Sequence, residues 1–288
     1  MGYWGFAVAT LLMVGGMPAR AQPSADQGPG SRFELQIDAA TRAEVVAGEA
    51  GLEVRLHPGG IVQVIGEVAS DADGGFHFGA EDFNFDGHMD FSTWAIVGQA
   101  NRMVVVYLYD PDGHRFHTLR VPDNAPVMCD GFWDLVPDKE LQLLTSSCRG
   151  GPRWLTDVYR FSPSGALYVY RSQRQIMSPS ITDRLQLAPD EYPIASVWTT
   201  YDSAGNTLDT WVGTDPLRPE PLMVTVAAPF EMHDTPEGSV LAEQPVAGER
   251  VEVLDVSPDE AWMKVRTIGA AKPRVTGWVA VPREEAGP

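Results

Sequence analysis

The sequence predicts an all-β protein. From about residue 32 onward, short runs of alternating apolar and polar residues are separated by turns rich in Gly, Pro, Asp and Asn, which is the pattern of strands joined by tight connections. Helical periodicity is nearly absent, and only Ala39–Ala47 fits a short helix. We therefore expect a β-propeller-like domain or a curved stack of β-meanders, followed by a small barrel, with a β-sandwich as the alternative for the larger domain.

The predicted strands pair into consecutive hairpins. Alternating runs flank each predicted turn, and three of the turns carry an Asp-x-x-Gly or Ser-x-x-Gly pattern, which favours repeated β units. The turns lie at residues 57–60, 110–113, 162–165 and 202–206.

The first 21 residues predict a cleaved signal peptide. The apolar run Gly2–Met17 precedes Ala19-Arg20-Ala21, a small-x-small cleavage pattern, and it is shorter than the roughly 20 apolar residues of a spanning helix. A retained anchor is the alternative. Cleavage predicts a periplasmic or secreted protein with no membrane span, and residues 22–31, rich in Pro, Gly and Ser, predict a disordered mature N-terminus.

The chain is strongly acidic. Its net charge is −18, and removing residues 1–21 takes away one Arg and no Asp or Glu, which gives −19. Such a chain is not expected to bind nucleic acid, because phosphate-backbone binding needs clustered Lys and Arg. The charge favours basic protein partners or metal cations, although solubility alone also explains it.

The chain has two cysteines, Cys129 and Cys148. In an oxidising compartment such a pair predicts a disulfide, and closing this loop would stabilise the fold by roughly 3 kcal/mol. Two buried thiols are the alternative.

Three prolines in residues 215–221 predict an extended linker. This linker divides a propeller-like domain over residues 32–214 from a small domain over residues 222–283.

The stretch from Asp82 to Asp90 predicts a Ca²⁺ site. It reproduces the first nine positions of a calcium loop, with Gly87 at the sharp turn. Thr93 replaces the Glu expected at the twelfth position, and strands flank the loop, so it is not an EF-hand. The predicted ligands are the side chains of Asp82, Asn84, Asp86 and Asp90 and the carbonyl of His88. A metal-free Asp-rich turn is the alternative.

Residues 222–282 resemble a bacterial SH3-type domain. The motifs that carry the resemblance are a turn Gly248, then Val251-Glu-Val-Leu254, Trp262-Met-Lys-Val265 and Gly277-Trp-Val279. The resemblance implies binding of peptidoglycan or peptides, with Trp262 and Trp278 as candidate ligand contacts. Packing in the core is the alternative for both tryptophans.

Residues 33–175 resemble a family of secreted, β-propeller-like inhibitors and immunity proteins that act on lysozyme-type peptidoglycan hydrolases. The resemblance is carried by the acidic loop, Tyr107-Leu-Tyr-Asp-Pro111, Ser147-Cys-Arg-Gly-Gly151 and Asp157-Val-Tyr-Arg-Phe161. It implies calcium in the acidic loop and a hydrolase as the partner.

Two loops are candidates for insertion into such an enzyme. Arg149, Gly150, Gly151, Arg153 and Trp154 combine two guanidiniums, an aromatic anchor and glycines, which suits a cleft lined by catalytic carboxylates. Residues 98–102 form the second candidate. An ordinary surface turn is the alternative for each.

No catalytic constellation is visible in the sequence. The six histidines are scattered, and neither a His-Glu-x-x-His motif nor a Gly-x-Ser-x-Gly motif is present. We expect a binding protein rather than an enzyme: an inhibitor of a lysozyme-like hydrolase, or alternatively a non-inhibitory envelope protein that binds peptidoglycan or peptides through residues 222–283.

Overall fold

The computed structural model describes residues 30–98, 101–178, 181, 195–213, 222–226, 229–268 and 274–281. In these ranges the chain is all-β, as the sequence predicts. The predicted signal peptide, nearly all of residues 22–31 and the linker at 215–221 lie outside the described residues. The described part contains no helix long and apolar enough to cross a membrane.

The first two sheets are antiparallel and follow chain order. Sheet I contains β1 (Arg32–Gln36), β2 (Arg42–Gly48), β3 (Gly51–His57) and β4 (Val62–Ile65). Sheet II contains β5 (His77–Glu81), β6 (Asp90–Val97), β7 (Asn101–Asp110) and β8 (Arg115–Thr118), and β9 (Phe132–Trp133) also pairs with β7.

The remaining two sheets have the same meander order. Sheet III contains β10 (Val136–Asp138), β11 (Leu143–Gly150), β12 (Arg153–Phe161), β13 (Leu167–Gln175), β14 (Ser196–Tyr201) and β15 (Thr207–Gly213). Sheet IV contains β16 (Leu222–Thr225), β17 (Arg250–Val256), β18 (Trp262–Thr267) and β19 (Thr276–Ala280). All four hairpins predicted from turn residues are present, as β3–β4, β7–β8, β12–β13 and β14–β15.

The helix predicted at Ala39–Ala47 is wrong, because Arg42–Gly48 forms β2. Ala43, Val45 and Ala47 are buried while the residues between them are not, so the period is two residues. Val45 and Val46 are β-branched, which favours a strand. Pairing with β1 and β3 decides the structure of this stretch.

Neighbouring sheets share hydrophobic cores. Sheets I and II bury one cluster that includes Leu52 and Phe91, and sheets II and III bury a second around Val106 and Tyr159. A third cluster joins sheet IV to Val197 and other residues around β14 and β15. The buried residues of sheet IV therefore form one continuous cluster with residues around β14 and β15.

Candidate functional site

The disulfide Cys129–Cys148 is present, with the two Cα atoms 6.0 Å apart. It fastens the segment before β9 to the end of β11. The buried carboxylate of Asp157 on β12 accepts hydrogen bonds from the backbone N–H groups of Met128 and Cys129. Burial raises the pKa of Asp157 to about 6, and these two hydrogen bonds oppose the shift.

The β11–β12 hairpin projects beyond its neighbours. Arg149 pairs with Trp154 and Gly150 with Arg153 across the two strands, and Gly151 adopts φ +64° at the turn. Strand β10 pairs with β11 only from Leu143 to Thr145, whereas β13 pairs with β12 only as far as Leu155. Within the described residues, the last residues of the hairpin are therefore not paired with a further strand on either side.

Side-chain amides replace the missing strands at both edges of this hairpin. Asn101 accepts a hydrogen bond from the Arg149 N–H through Oδ1 (2.8 Å) and donates from Nδ2 to the Arg149 carbonyl (3.3 Å). On the other edge, Gln175 accepts from the Trp154 N–H (2.9 Å). Unpaired backbone groups are thereby satisfied, and both strands are held in register up to the turn. Asn101 belongs to the second predicted loop, residues 98–102, and brings its described part into contact with the first; residues 99 and 100 lie outside the described residues.

The predicted insertion residues divide into two groups. Arg149 is exposed, its Nε donates to the Gly151 carbonyl (3.2 Å), and no described carboxylate pairs with it. The side chain of Trp154 remains 38% exposed. Arg153, by contrast, lies with Nη2 2.8 Å from Glu260 Oε1, so its positive charge is already paired with a carboxylate of the same chain.

Glu260 forms the centre of a charged network between sheets III and IV. Although only 8% exposed, it accepts hydrogen bonds from the backbone N–H groups of Met177 (3.0 Å) and Ser178 (2.6 Å). Arg174 lies 3.8 Å away and donates to the Val256 carbonyl. The Arg153 contact is ionic without hydrogen-bond alignment, because Oε1 has no aligned donor.

The acidic loop at residues 82–90 is ordered by its own polar groups. Asp82 accepts from the N–H groups of Asp86 and Gly87 (both 3.1 Å), and Asp86 accepts from the His88 N–H (2.8 Å) and from the Asn84 amide (2.8 Å). These contacts curl the predicted ligands into one turn, with Phe85 at φ +62° and Gly87 at φ +92°.

Asp90 lies at the base of this loop and is fully buried. Its two oxygens accept from the N–H groups of Phe83 (2.9 Å) and Tyr109 (2.8 Å). The pKa of Asp90 is raised to about 7, mainly by burial and also by the charges of Asp86 and Asp82, and the two backbone hydrogen bonds oppose the shift. Asp90 differs from Asp82, Asn84 and Asp86 in being fully buried, although all four accept hydrogen bonds from backbone N–H groups.

The donor chemistry of the loop fits Ca²⁺. Carboxylate and amide oxygens are the ligands that this ion prefers, and a cation would relieve the repulsion among Asp82, Asp86 and Asp90. No cluster of three or more His, Cys, Asp or Glu side chains arranged to hold a metal ion occurs among the described residues. The three predicted carboxylate ligands, Asp82, Asp86 and Asp90, are therefore not arranged in this structure as a cluster that could hold a metal ion.

Trp262 and Trp278 lie half-buried on the same face of sheet IV. The His233 ring meets Trp262 edge-on (5.3 Å), and the Lys264 ammonium lies 5.7 Å from the Trp278 ring. Backbone hydrogen bonds join His233 to Trp278 in both directions. A Cβ on Gly277 would lie 2.9 Å from the His233 carbonyl oxygen, so glycine permits this approach.

The sequence does not indicate Gln175 or Glu260 as supporting residues, nor the supporting role of Asn101. Asn101 occurs in the second predicted loop, but nothing local indicates that it contacts Arg149, 48 residues away. For Glu260 a weak local signal exists, because Ser257-Pro-Asp-Glu260 has the composition of a turn. Its burial depends on packing between sheets.

Comparison with known proteins gives no relative, since no family model, curated protein or solved structure matches the chain.

Proposed function

We propose that this chain is an exported inhibitor that binds and blocks a lysozyme-like peptidoglycan hydrolase and is not itself an enzyme. The observation that carries the proposal is the projecting β11–β12 hairpin, with Arg149 and Trp154 exposed and both edges supported by Asn101 and Gln175. The likeness of residues 33–175 to secreted inhibitors of such enzymes agrees with it.

The chemistry of the hairpin tip suits a hydrolase cleft. Glycoside hydrolases use a pair of carboxylates at the bond that is cut, and an arginine can pair with a carboxylate through two parallel hydrogen bonds. A tryptophan is a common anchor at protein interfaces. Because the hairpin is already ordered, little conformational entropy would be lost on binding.

Charge favours the encounter with a basic enzyme. The chain carries a net charge of −18, and a strongly acidic protein is steered toward cationic partners at a rate that falls as salt rises. Arg149 then supplies a local positive charge within a mostly negative surface.

Ca²⁺ belongs to this proposal as a structural ion. Asp82, Asn84 and Asp86, together with the His88 carbonyl and Asp90, would hold it. When bound, the ion supplies a positive charge that fixes the carboxylates of the loop and stabilises the fold by mass action.

The test is clearance of a cell-wall suspension by purified c-type, g-type and phage-type lysozymes with the protein added. We expect inhibition of at least one enzyme, weakened at least tenfold, or about 1.4 kcal/mol, by Arg149→Ala or Trp154→Ala. Arg55→Ala is the matched control, because Arg55 is an exposed arginine on sheet I. Absence of inhibition at micromolar excess over every enzyme would defeat the proposal.

A second candidate is a non-inhibitory envelope protein that binds peptidoglycan through sheet IV. It is favoured by the half-buried Trp262 and Trp278 beside His233 and Lys264. Sedimentation of the full chain with insoluble cell walls tests it, and full-length protein is needed because sheet IV shares its core with β14 and β15. Binding that is lost in Trp262→Ala and Trp278→Ala would support this role, and absence of sedimentation would exclude it.

A further inference from the structure

The β11–β12 tip is too small to be a complete protein interface. A stable interface takes about 20–30 residues from each partner, and the tip from Arg149 to Trp154 supplies only a few of them. If the proposed function holds, neighbouring elements must contribute, and the contacts of the hairpin show which elements these are.

Two other chain segments meet this hairpin. Asn101, which holds Arg149, begins β7 and pairs with Val97 at the end of β6. Gln175, which holds Trp154, ends β13, and Met177 follows two residues later with its N–H bound to Glu260.

Both segments carry exposed apolar side chains. Ile96 is 50% exposed and Val97 38% exposed at the β6–β7 tip, and Met177 is 39% exposed after β13. Together with Trp154 they provide four exposed large apolar side chains on the segments that meet at this hairpin, beside the exposed Arg149. Protein interfaces are enriched in aromatic residues, Met and Arg, and this set has that composition.

We propose that the end of β6, the start of β7 and the β11–β12 hairpin, joined by the hydrogen bonds of Asn101, form one docking surface with Met177 at its edge. Its occupant is a protein that presents a carboxylate in a cleft with an apolar rim. The carboxylate pairs with Arg149, and the rim covers Ile96, Val97, Trp154 and Met177. Charge complementarity identifies this partner, because Arg149 is an unpaired cation at the tip of an acidic chain.

Asn101 acts on this surface as a positioning residue. It joins sheet II to sheet III through two hydrogen bonds to one residue, and it thereby fixes the position of Arg149 relative to Val97. Loss of its amide frees the Arg149 N–H and leaves the two tips to move independently.

The experiment measures binding and local order separately. The probe is whichever c-type, g-type or phage-type lysozyme the wild-type chain inhibits, titrated calorimetrically against Asn101→Ala and the double variant Ile96→Ser/Val97→Ser. Hydrogen exchange of the Arg149 backbone amide reports whether its hydrogen bond to Asn101 is formed. Val64→Ser is the control, because Val64 is 63% exposed on β4 of sheet I.

We expect Asn101→Ala to weaken binding about tenfold and to speed exchange of the Arg149 amide. The double variant is expected to weaken binding about tenfold with exchange unchanged, and Val64→Ser to change neither. If Arg149→Ala weakens binding while Asn101→Ala and the double variant bind like wild type, the docking surface is overturned and the proposed function stands. If no lysozyme binds the wild-type chain, the proposed function itself is overturned, and this surface with it.

Discussion

Replacement of Glu260 by Ala is expected to destabilise the whole protein. Glu260 is a buried carboxylate that faces Arg153 and Arg174 and accepts from the N–H groups of Met177 and Ser178. Its removal takes the negative charge away from two arginines and the acceptor away from two backbone N–H groups at the boundary between sheets III and IV.

The expected cost is about 3 kcal/mol. Removing one partner of a buried ion pair costs about 3–5 kcal/mol, and the lower end applies here because the Arg153 side chain remains 32% exposed and can be solvated. Glu260→Gln should fall between wild type and Ala, because the amide oxygen still accepts from the backbone while the charge is lost.

The backbone conformation of Glu260 makes a second contribution to the cost of substitution, which can be measured separately. Glu260 adopts φ +56°, a left-handed conformation that costs a residue with a Cβ about 1–2 kcal/mol. Glu260→Gly should therefore be about 1 kcal/mol less destabilised than Glu260→Ala. Glu237 is a matched control, since it adopts φ +60° but is exposed, and Glu237→Ala should change stability by less than about 0.5 kcal/mol.

Urea unfolding followed by tryptophan fluorescence measures these differences. With a slope of about 1–3 kcal/mol per molar urea, a loss of 3 kcal/mol lowers the midpoint by about 1 M or more. If Glu260→Ala lowers the free energy of unfolding by less than about 1 kcal/mol, the reasoning that Glu260 neutralises buried positive charge is refuted. Equal stability of the Ala and Gly variants would refute the backbone part alone.

Three further predictions concern buried charge, metal and disulfide. The folded-state pKa of Asp157 is raised above its ordinary value of 3.8 to about 6, so its contribution to stability is present below pH 4 and is lost as pH rises through 6. Asp157→Asn should make the fall of the urea midpoint from pH 4 to pH 7 shallower without abolishing it, because the pKa of Asp90 is raised to about 7 and contributes over the same range; parallel profiles would contradict this. The melting temperature should be higher in millimolar Ca²⁺ than in EDTA, and Asp86→Asn should abolish the difference; an unchanged wild-type midpoint would count against a calcium site. Replacing Cys129 and Cys148 by Ser, 19 residues apart in sequence, should cost about 3 kcal/mol in the same urea assay, and a midpoint equal to wild type would show that the crosslink does not limit unfolding.

The local parts of the fold were predictable from the sequence. Turns such as Asp110-Pro-Asp-Gly113 and Ser162-Pro-Ser-Gly165 lie between alternating runs, and these signals span only a few residues. The disulfide was predictable because the chain has only two cysteines, and the acidic loop because its pattern lies within nine consecutive residues. The failure at Ala39–Ala47 shows the limit, because pairing with two neighbouring strands overrode a weak helical pattern.

The support of the candidate site could not be predicted, because it depends on packing between sheets. Asn101 and Arg149 are 48 residues apart, and Met177 and Glu260 are 83 apart. Nothing in the neighbourhood of Arg153 distinguishes an arginine that pairs with Glu260 from one that faces solvent. The sequence identified the hairpin that projects, but not the residues that hold it.

The meander order of the sheets has a consequence for how the chain acquires its structure during synthesis. Each sheet is built from strands that follow one another, so a chain that emerges N-terminus first can pair the strands of sheets I and II before sheet III is complete. Glu260, however, is made 83 residues after Met177. Until sheet IV arrives, Arg153 and Arg174 lack their carboxylate. Only a chain extended through β17 and β18 therefore presents the hairpin with all of its supports.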